Sequence, residues 1–185
     1  MEWLRHGAQH YPDRICINEY TYNDIYRGVL HVARNLAPLE ASRVAILSDN
    51  SVTMAMYVLA AILVHKEVLL LNVHLKPNEI VNQLDQLGVT AVLHSKERRS
   101  QLPDAVETQV SNLVAPIVSD SVENQLSHSV GLEAANSIVT IEFETLESIL
   151  SDLAGEDSFD WTFADADIAA IMNTSATTGQ FKSVP

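Results

Sequence analysis

Between Arg99 and Lys182 this 185-residue chain contains no lysine or arginine. Residues 1–99 balance ten acids against ten Lys/Arg, whereas residues 100–185 set fourteen acids against Lys182 alone, for a net charge of −13. A surface so poor in positive charge argues against nucleic acid as a partner, because that binding needs a basic footprint. It also repels any polyphosphate except where a local cation offsets it. Cysteine is almost missing too. Cys16 alone cannot form an internal disulfide, which fits a reducing compartment. It sits in the strand-like run RICINE, where a small buried hydrophobe is the simpler reading than a reactive thiol. No apolar run reaches membrane length: the longest, residues 52–64, has thirteen residues where a span needs about 20. The amino terminus, MEWLRHGAQHYPDR, is polar throughout and offers no signal-peptide core. The expectation is a cytoplasmic protein without a membrane span.

What the chain does contain is an ordinary folding composition, 47% apolar and 19% charged. Trp3, Leu4, Ala8 and Tyr11 recur at helical spacing and predict a short amphipathic helix over 2–11. Residues 14–19 read as a strand. Thr21 and Asp24 form a capping-box pattern opening a helix over 23–36, whose apolar face is Ile25, Val29, Val32, Ala33 and Leu36. Continuous apolar runs at 43–47, 68–71 and 90–94 alternate with helical segments at 52–65 and 77–87. That βαβαβ alternation signals a parallel sheet covered on both faces. The pattern weakens from Lys96 to about Ser137, with a short strand expected at 114–118. It resumes as a strand over 138–143, a helix over 145–153, an acidic linker carrying Phe159 and Trp161, and a last strand entering at Ile168.

That last strand ends in Thr174-Ser175-Ala176-Thr177-Thr178-Gly179-Gln180-Phe181-Lys182. Hydroxyls and backbone N–H groups donate hydrogen bonds, glycine admits close backbone approach, and lysine supplies a point charge, so the combination suits a polyphosphate. Two common phosphate patterns fail here. A Walker loop needs Gly-Lys adjacent, whereas Gln180 and Phe181 separate Gly179 from Lys182, and the dinucleotide pattern needs three glycines.

The run from Thr174 to Val184 resembles the Ser/Thr-Ser-Gly-Thr-Thr-Gly-x-x-Lys-x-Val phosphate loop of the adenylate-forming enzymes, the acyl-CoA synthetase superfamily. Upstream, Thr21-Tyr22-Asn23-Asp24-Ile25 is similar to that family's Thr-Tyr-x-Glu-Leu, and Asn72 to Ile80 to its Asn-x-x-Leu-x-x-x-Glu-Ile crossing. The resemblance implies an α/β fold: the amino-terminal portion of an AMP-binding domain, cut just after the phosphate loop and lacking the carboxy-terminal domain. It implies an acid–thiol ligase using ATP, Mg2+ and coenzyme A on a small-molecule carboxylate. It assigns ATP phosphate binding to Thr174, Ser175, Ala176, Thr177, Thr178, Gly179 and Lys182, and leaves the catalytic and magnesium residues unassigned. Ala176 departs from the family's glycine, and Phe181 stands where proline is frequent. The isolated chain is expected to be inactive and aggregation-prone. Other aryl- or acyl-CoA ligases, adenylation domains and a silent truncated-gene remnant stay open, because the acyl pocket lies beyond these residues.

Weaker signals point elsewhere. His6 and His10 are four apart on one helix but have no third ligand in pattern, so surface histidines are the plainer reading. The acids of 142–167 lack the spacing of a calcium loop and read as a solvated face. Ser175 lacks the Gly-x-Ser-x-Gly elbow of a hydrolase nucleophile.

Overall fold

In the computed structural model, the described residues are 1–102, 138–151, 159–163, 170–174 and 182–184, with backbone alone for 172–174 and 182–184. The expected strand at 114–118 lies outside them. Helix α1 (Glu2–His10) leads through a small antiparallel pair, β1 (Ile15–Ile17) and β2 (Tyr20–Thr21), into α2 (Tyr22–Leu36). Strand β3 (Arg43–Leu47), α3 (Val52–Leu63), β4 (Glu67–Leu70), α4 (Pro77–Gln86) and β5 (Ala91–His94) follow. A 3-10 helix, Lys96–Gln101, comes after β5, and then β6 (Val139–Glu142), α5 (Leu146–Ser151), β7 (Ala170–Thr174) and β8 (Lys182–Val184). The sheet order is β6-β5-β3-β4-β7-β8. The first five strands in that order run parallel, and β8 closes the edge antiparallel to β7.

Side-chain alternation along the strands divides the interior into two cores. Val44, Ile46, Val68, Ala91 and Leu93 pack with α2 and α3 residues on one face. Ala45, Leu47, Leu69, Val92 and Ile171 pack with Ile80 and Leu84 of α4 on the other. Successive residues of a strand point to opposite faces, so strands covered on both sides carry unbroken apolar runs. Helices therefore lie on both faces of a parallel sheet, as the alternation in the sequence predicts.

Local chemistry fixes the helix ends. Asp24 N–H donates to Thr21 Oγ1 at 3.2 Å while Thr21 N–H donates to Asp24 Oδ2 at 2.9 Å, completing the capping box of α2. Met54 N–H donates to Ser51 Oγ at 3.0 Å at the start of α3. Pro77 opens α4, and Gly88 follows it at φ 62°, the left-handed region that suits glycine.

Two expectations are corrected. In α1 the buried residues are Leu4 and Gly7, while Trp3 and Tyr11 are about half exposed at 50% and 54%. The contact belongs to Gly7 because the ring of Tyr22 occupies the space where a Cβ would stand, 2.1 Å from Tyr22 Cδ1. Second, the strand entering at Ile168 is not the last: Lys182 begins β8. Among the described residues, no helix is long and apolar enough to cross a membrane.

Candidate functional site

Helix α3 leaves β3 toward one core and α4 leaves β4 toward the other. Adjacent parallel strands whose connections part to opposite faces leave a crevice beyond their carboxyl ends, the usual ligand position in such sheets. The next strand, β7, pairs parallel with β4 through Val68↔Ala170, Leu69↔Ile171 and Leu70↔Met172. Its carboxyl end, Thr174, therefore emerges at the same edge as the turns that follow β3, β4 and β5.

At that edge Thr174 and Lys182 are register partners of the antiparallel β7–β8 pair, with Asn173↔Ser183 and Met172↔Val184 behind them. Directly opposed residues on such a pair lie about 4.5–5.5 Å apart at Cα. The strand ends that flank residues 175–181 are thus brought side by side. Of the seven phosphate-loop residues expected from sequence, the backbones of Thr174 and Lys182 are brought together in this way. Ser175, Ala176, Thr177, Thr178 and Gly179 lie outside the described residues.

The neighbouring turns are tied to one another. Arg98 donates from Nε to Asp49 Oδ2 at 2.9 Å and from Nη2 to Asp49 Oδ1 at 2.5 Å, joining the turn after β5 to the turn after β3. The hydrogen bonding of Arg98 holds the Asp49 carboxyl below its usual range, helped by the Arg98 and His74 charges. Gln101 Nε2 donates to the Val73 carbonyl at 3.1 Å, and His74 N–H donates to Asn72 Oδ1 at 2.9 Å, which shapes the turn after β4. Sequence reading passed over Asp49, Asn72, His74 and Arg98 as site neighbours. The signal that could have found them is position, since each follows the carboxyl end of a parallel strand by a few residues. Lys182, the lone base of the acidic half, consequently shares its edge with bases of the neutral half.

Among the described residues, no group of three His, Cys, Asp or Glu side chains could hold a metal ion. The rings of His6 and His10 meet at a tilt with centroids 4.3 Å apart, and among the described residues they belong to no group of three potential metal ligands.

Residues 4–185 match the model of the AMP-binding enzyme family. The 2-succinylbenzoate–CoA ligase of Lactococcus lactis subsp. lactis is 35% identical over 187 residues, covering 100% of this chain and 33% of the relative. The Staphylococcus aureus (strain Newman) enzyme of the same name is 28% identical, covering 99% of this chain and 36% of its own length. Among solved structures, the O-succinylbenzoate coenzyme A synthetase of Bacillus subtilis in complex with AMP superposes with a TM-score of 0.65 at 22% identity, over 98% of this chain and 41% of that one. The inhibitor-bound N-terminal domain of FACL13 from Mycobacterium tuberculosis gives a TM-score of 0.69 at 22% identity, over 98% and 42%. These structures share the fold, and the chain spans about a third of the length of the curated relatives it matches. By its family match along almost its whole length, the chain belongs to the AMP-binding enzymes.

Proposed function

We propose that these residues form the amino-terminal portion of an AMP-binding domain in an ATP-dependent acid–CoA ligase whose acid is 2-succinylbenzoate, acting in menaquinone biosynthesis. The observation that supports the reading is the Thr174↔Lys182 pairing, which brings the two strand ends flanking the hydroxyl-rich stretch 175–181 together at the carboxyl edge of a parallel sheet. The substrate follows from the relatives, two of which bear the name 2-succinylbenzoate–CoA ligase.

In this reading the substrate carboxylate, ionised at neutral pH, attacks the α-phosphorus of ATP. Acyl-adenylate forms and pyrophosphate leaves. The thiol of coenzyme A then displaces AMP to give the thioester. The loop's part is electrostatic: Thr174, Ser175, Thr177 and Thr178 donate hydrogen bonds to β- and γ-phosphate oxygens, Gly179 admits the backbone, and Lys182 offsets charge on the departing pyrophosphate. Among the described residues there is no cluster of carboxylates of the size needed to hold Mg2+.

The test supplies ATP, 2-succinylbenzoate and coenzyme A and follows pyrophosphate and thioester together. A protein carrying the full length of the relatives is expected to release pyrophosphate only with the acid present, whereas residues 1–185 alone are expected to give neither product. Turnover with benzoate or a fatty acid in place of 2-succinylbenzoate would move the substrate assignment to another acyl-CoA ligase. Robust thioester synthesis by the 185 residues would overturn the division of labour.

A further inference from the structure

Trp3, Tyr11 and Ile15 are the large hydrophobic residues most exposed among the described ones, and all three fall within one short stretch. Single exposed apolar residues are unremarkable, but here two of them wall a cleft of about 410 Å³ between α1 and the start of α2, within the size range of small-molecule sites. Trp3 meets Tyr22 edge to face at 6.4 Å between centroids, and His6 meets Tyr11 in the same way at 6.3 Å. Gly7 lets the Tyr22 ring, one wall of the cleft, pack directly against α1, because a Cβ there would collide with it.

The charged groups decide what such a cleft would take. Glu2 is engaged by Arg5, with Nη2 donating to Oε1 at 2.8 Å. Arg14 also lines the cleft and has no ion-pair partner among the described residues. Aromatic walls beside an uncompensated guanidinium favour a flat ring bearing one negative group, since rings stack on rings and a guanidinium pairs a carboxylate through two parallel hydrogen bonds. A single guanidinium does not suit a polyphosphate, and the engaged Glu2 does not suit a cation.

We propose that the Trp3–Tyr11–Tyr22 cleft is a binding site for small aromatic carboxylates, separate from the phosphate loop and resting on different residues. The probe is benzoate, added to the full chain while the indole N–H of Trp3 is followed by nitrogen–proton correlation spectroscopy. That cross-peak is the one missing from Trp3→Phe. Benzoate is expected to shift it saturably with a half-point of roughly 1–5 mM, as suits a weak small-ligand site. Benzyl alcohol, the same ring without the charge, should bind at least about fivefold more weakly, as should benzoate to Arg14→Gln. Lys182→Ala should leave the benzoate response unchanged, which separates this site from the loop. No saturable shift by about 20 mM, an equal response to benzyl alcohol, or undiminished binding by Arg14→Gln would each overturn the proposal.

Discussion

Gly7 and Tyr22 show how one missing side chain sets a helix contact. Adding a methyl at Gly7 brings it within 2.1–2.8 Å of three Tyr22 ring atoms, so the ring or the helix must move. Overpacking of this kind costs about 1–3 kcal/mol, against about 1 kcal/mol gained from alanine's better helix propensity. Gly7→Ala is thus expected to lower stability in urea unfolding, and an increase would mean that Tyr22 rotates away freely. Tyr57 offers a prediction in pH. Its ring stacks on Phe143 at 4.1 Å, its hydroxyl accepts from Glu144 N–H at 3.0 Å, and burial pushes its pKa up to about 12. An unfolded tyrosine ionises near 10, so between pH 10 and 12 the unfolded chain has lost a proton that the folded chain retains. Stability should therefore fall as pH rises through that window, and the alkaline decline should be shallower in Tyr57→Phe; equal slopes would contradict the account. Ala176 carries a third residue-scale prediction. If the position needs a left-handed backbone, as the family's glycine there would allow, alanine costs roughly 1–2 kcal/mol, and in an ordinary region it costs little. Ala176→Gly in a full-length protein should then tighten ATP binding severalfold, and unchanged or weaker affinity would remove alanine as an impairment.

At the scale of elements, the capping box of α2 is both readable and measurable. Thr21→Ala removes the acceptor for Asp24 N–H and should cost about 1 kcal/mol, seen as a lower denaturation midpoint. Thr21→Ser should keep most of it. The parallel strands were legible because burial on both faces demands unbroken apolar runs, and RVAIL and AVLH are short β-rich runs of that kind. Strand β8 was not legible. Lys182–Val184 is three residues long and only one is apolar, so pairing with β7 is what defines it, and pairing leaves no local pattern. Trp161 stands in an acidic stretch whose sequence hides its burial for a similar reason. It is 6% exposed, stacks on Tyr26 at 5.7 Å, and lies under the Arg5 guanidinium, all partners distant in sequence. The candidate site divides the same way. Its loop residues stand together in the chain and carried a motif, while Asp49, His74 and Arg98 meet through strand order alone.

For the whole molecule, the organising fact is that the acidic half's only lysine or arginine is paired across the sheet edge with Thr174, the residue that precedes 175–181. Long-range repulsion from a net charge of −13 opposes a triphosphate, so under the proposed function ATP binding would depend on local donors and on Lys182. Nucleic acid is expected to gain no such foothold. The measurement that bears most directly on this reading is ATP binding by calorimetry to the protein and to Lys182→Ala, with folding of both checked by circular dichroism. The account predicts that the substitution weakens ATP at least about tenfold, some 1.4 kcal/mol, while leaving the fold unchanged. Equal ATP affinity in two equally folded proteins would contradict it.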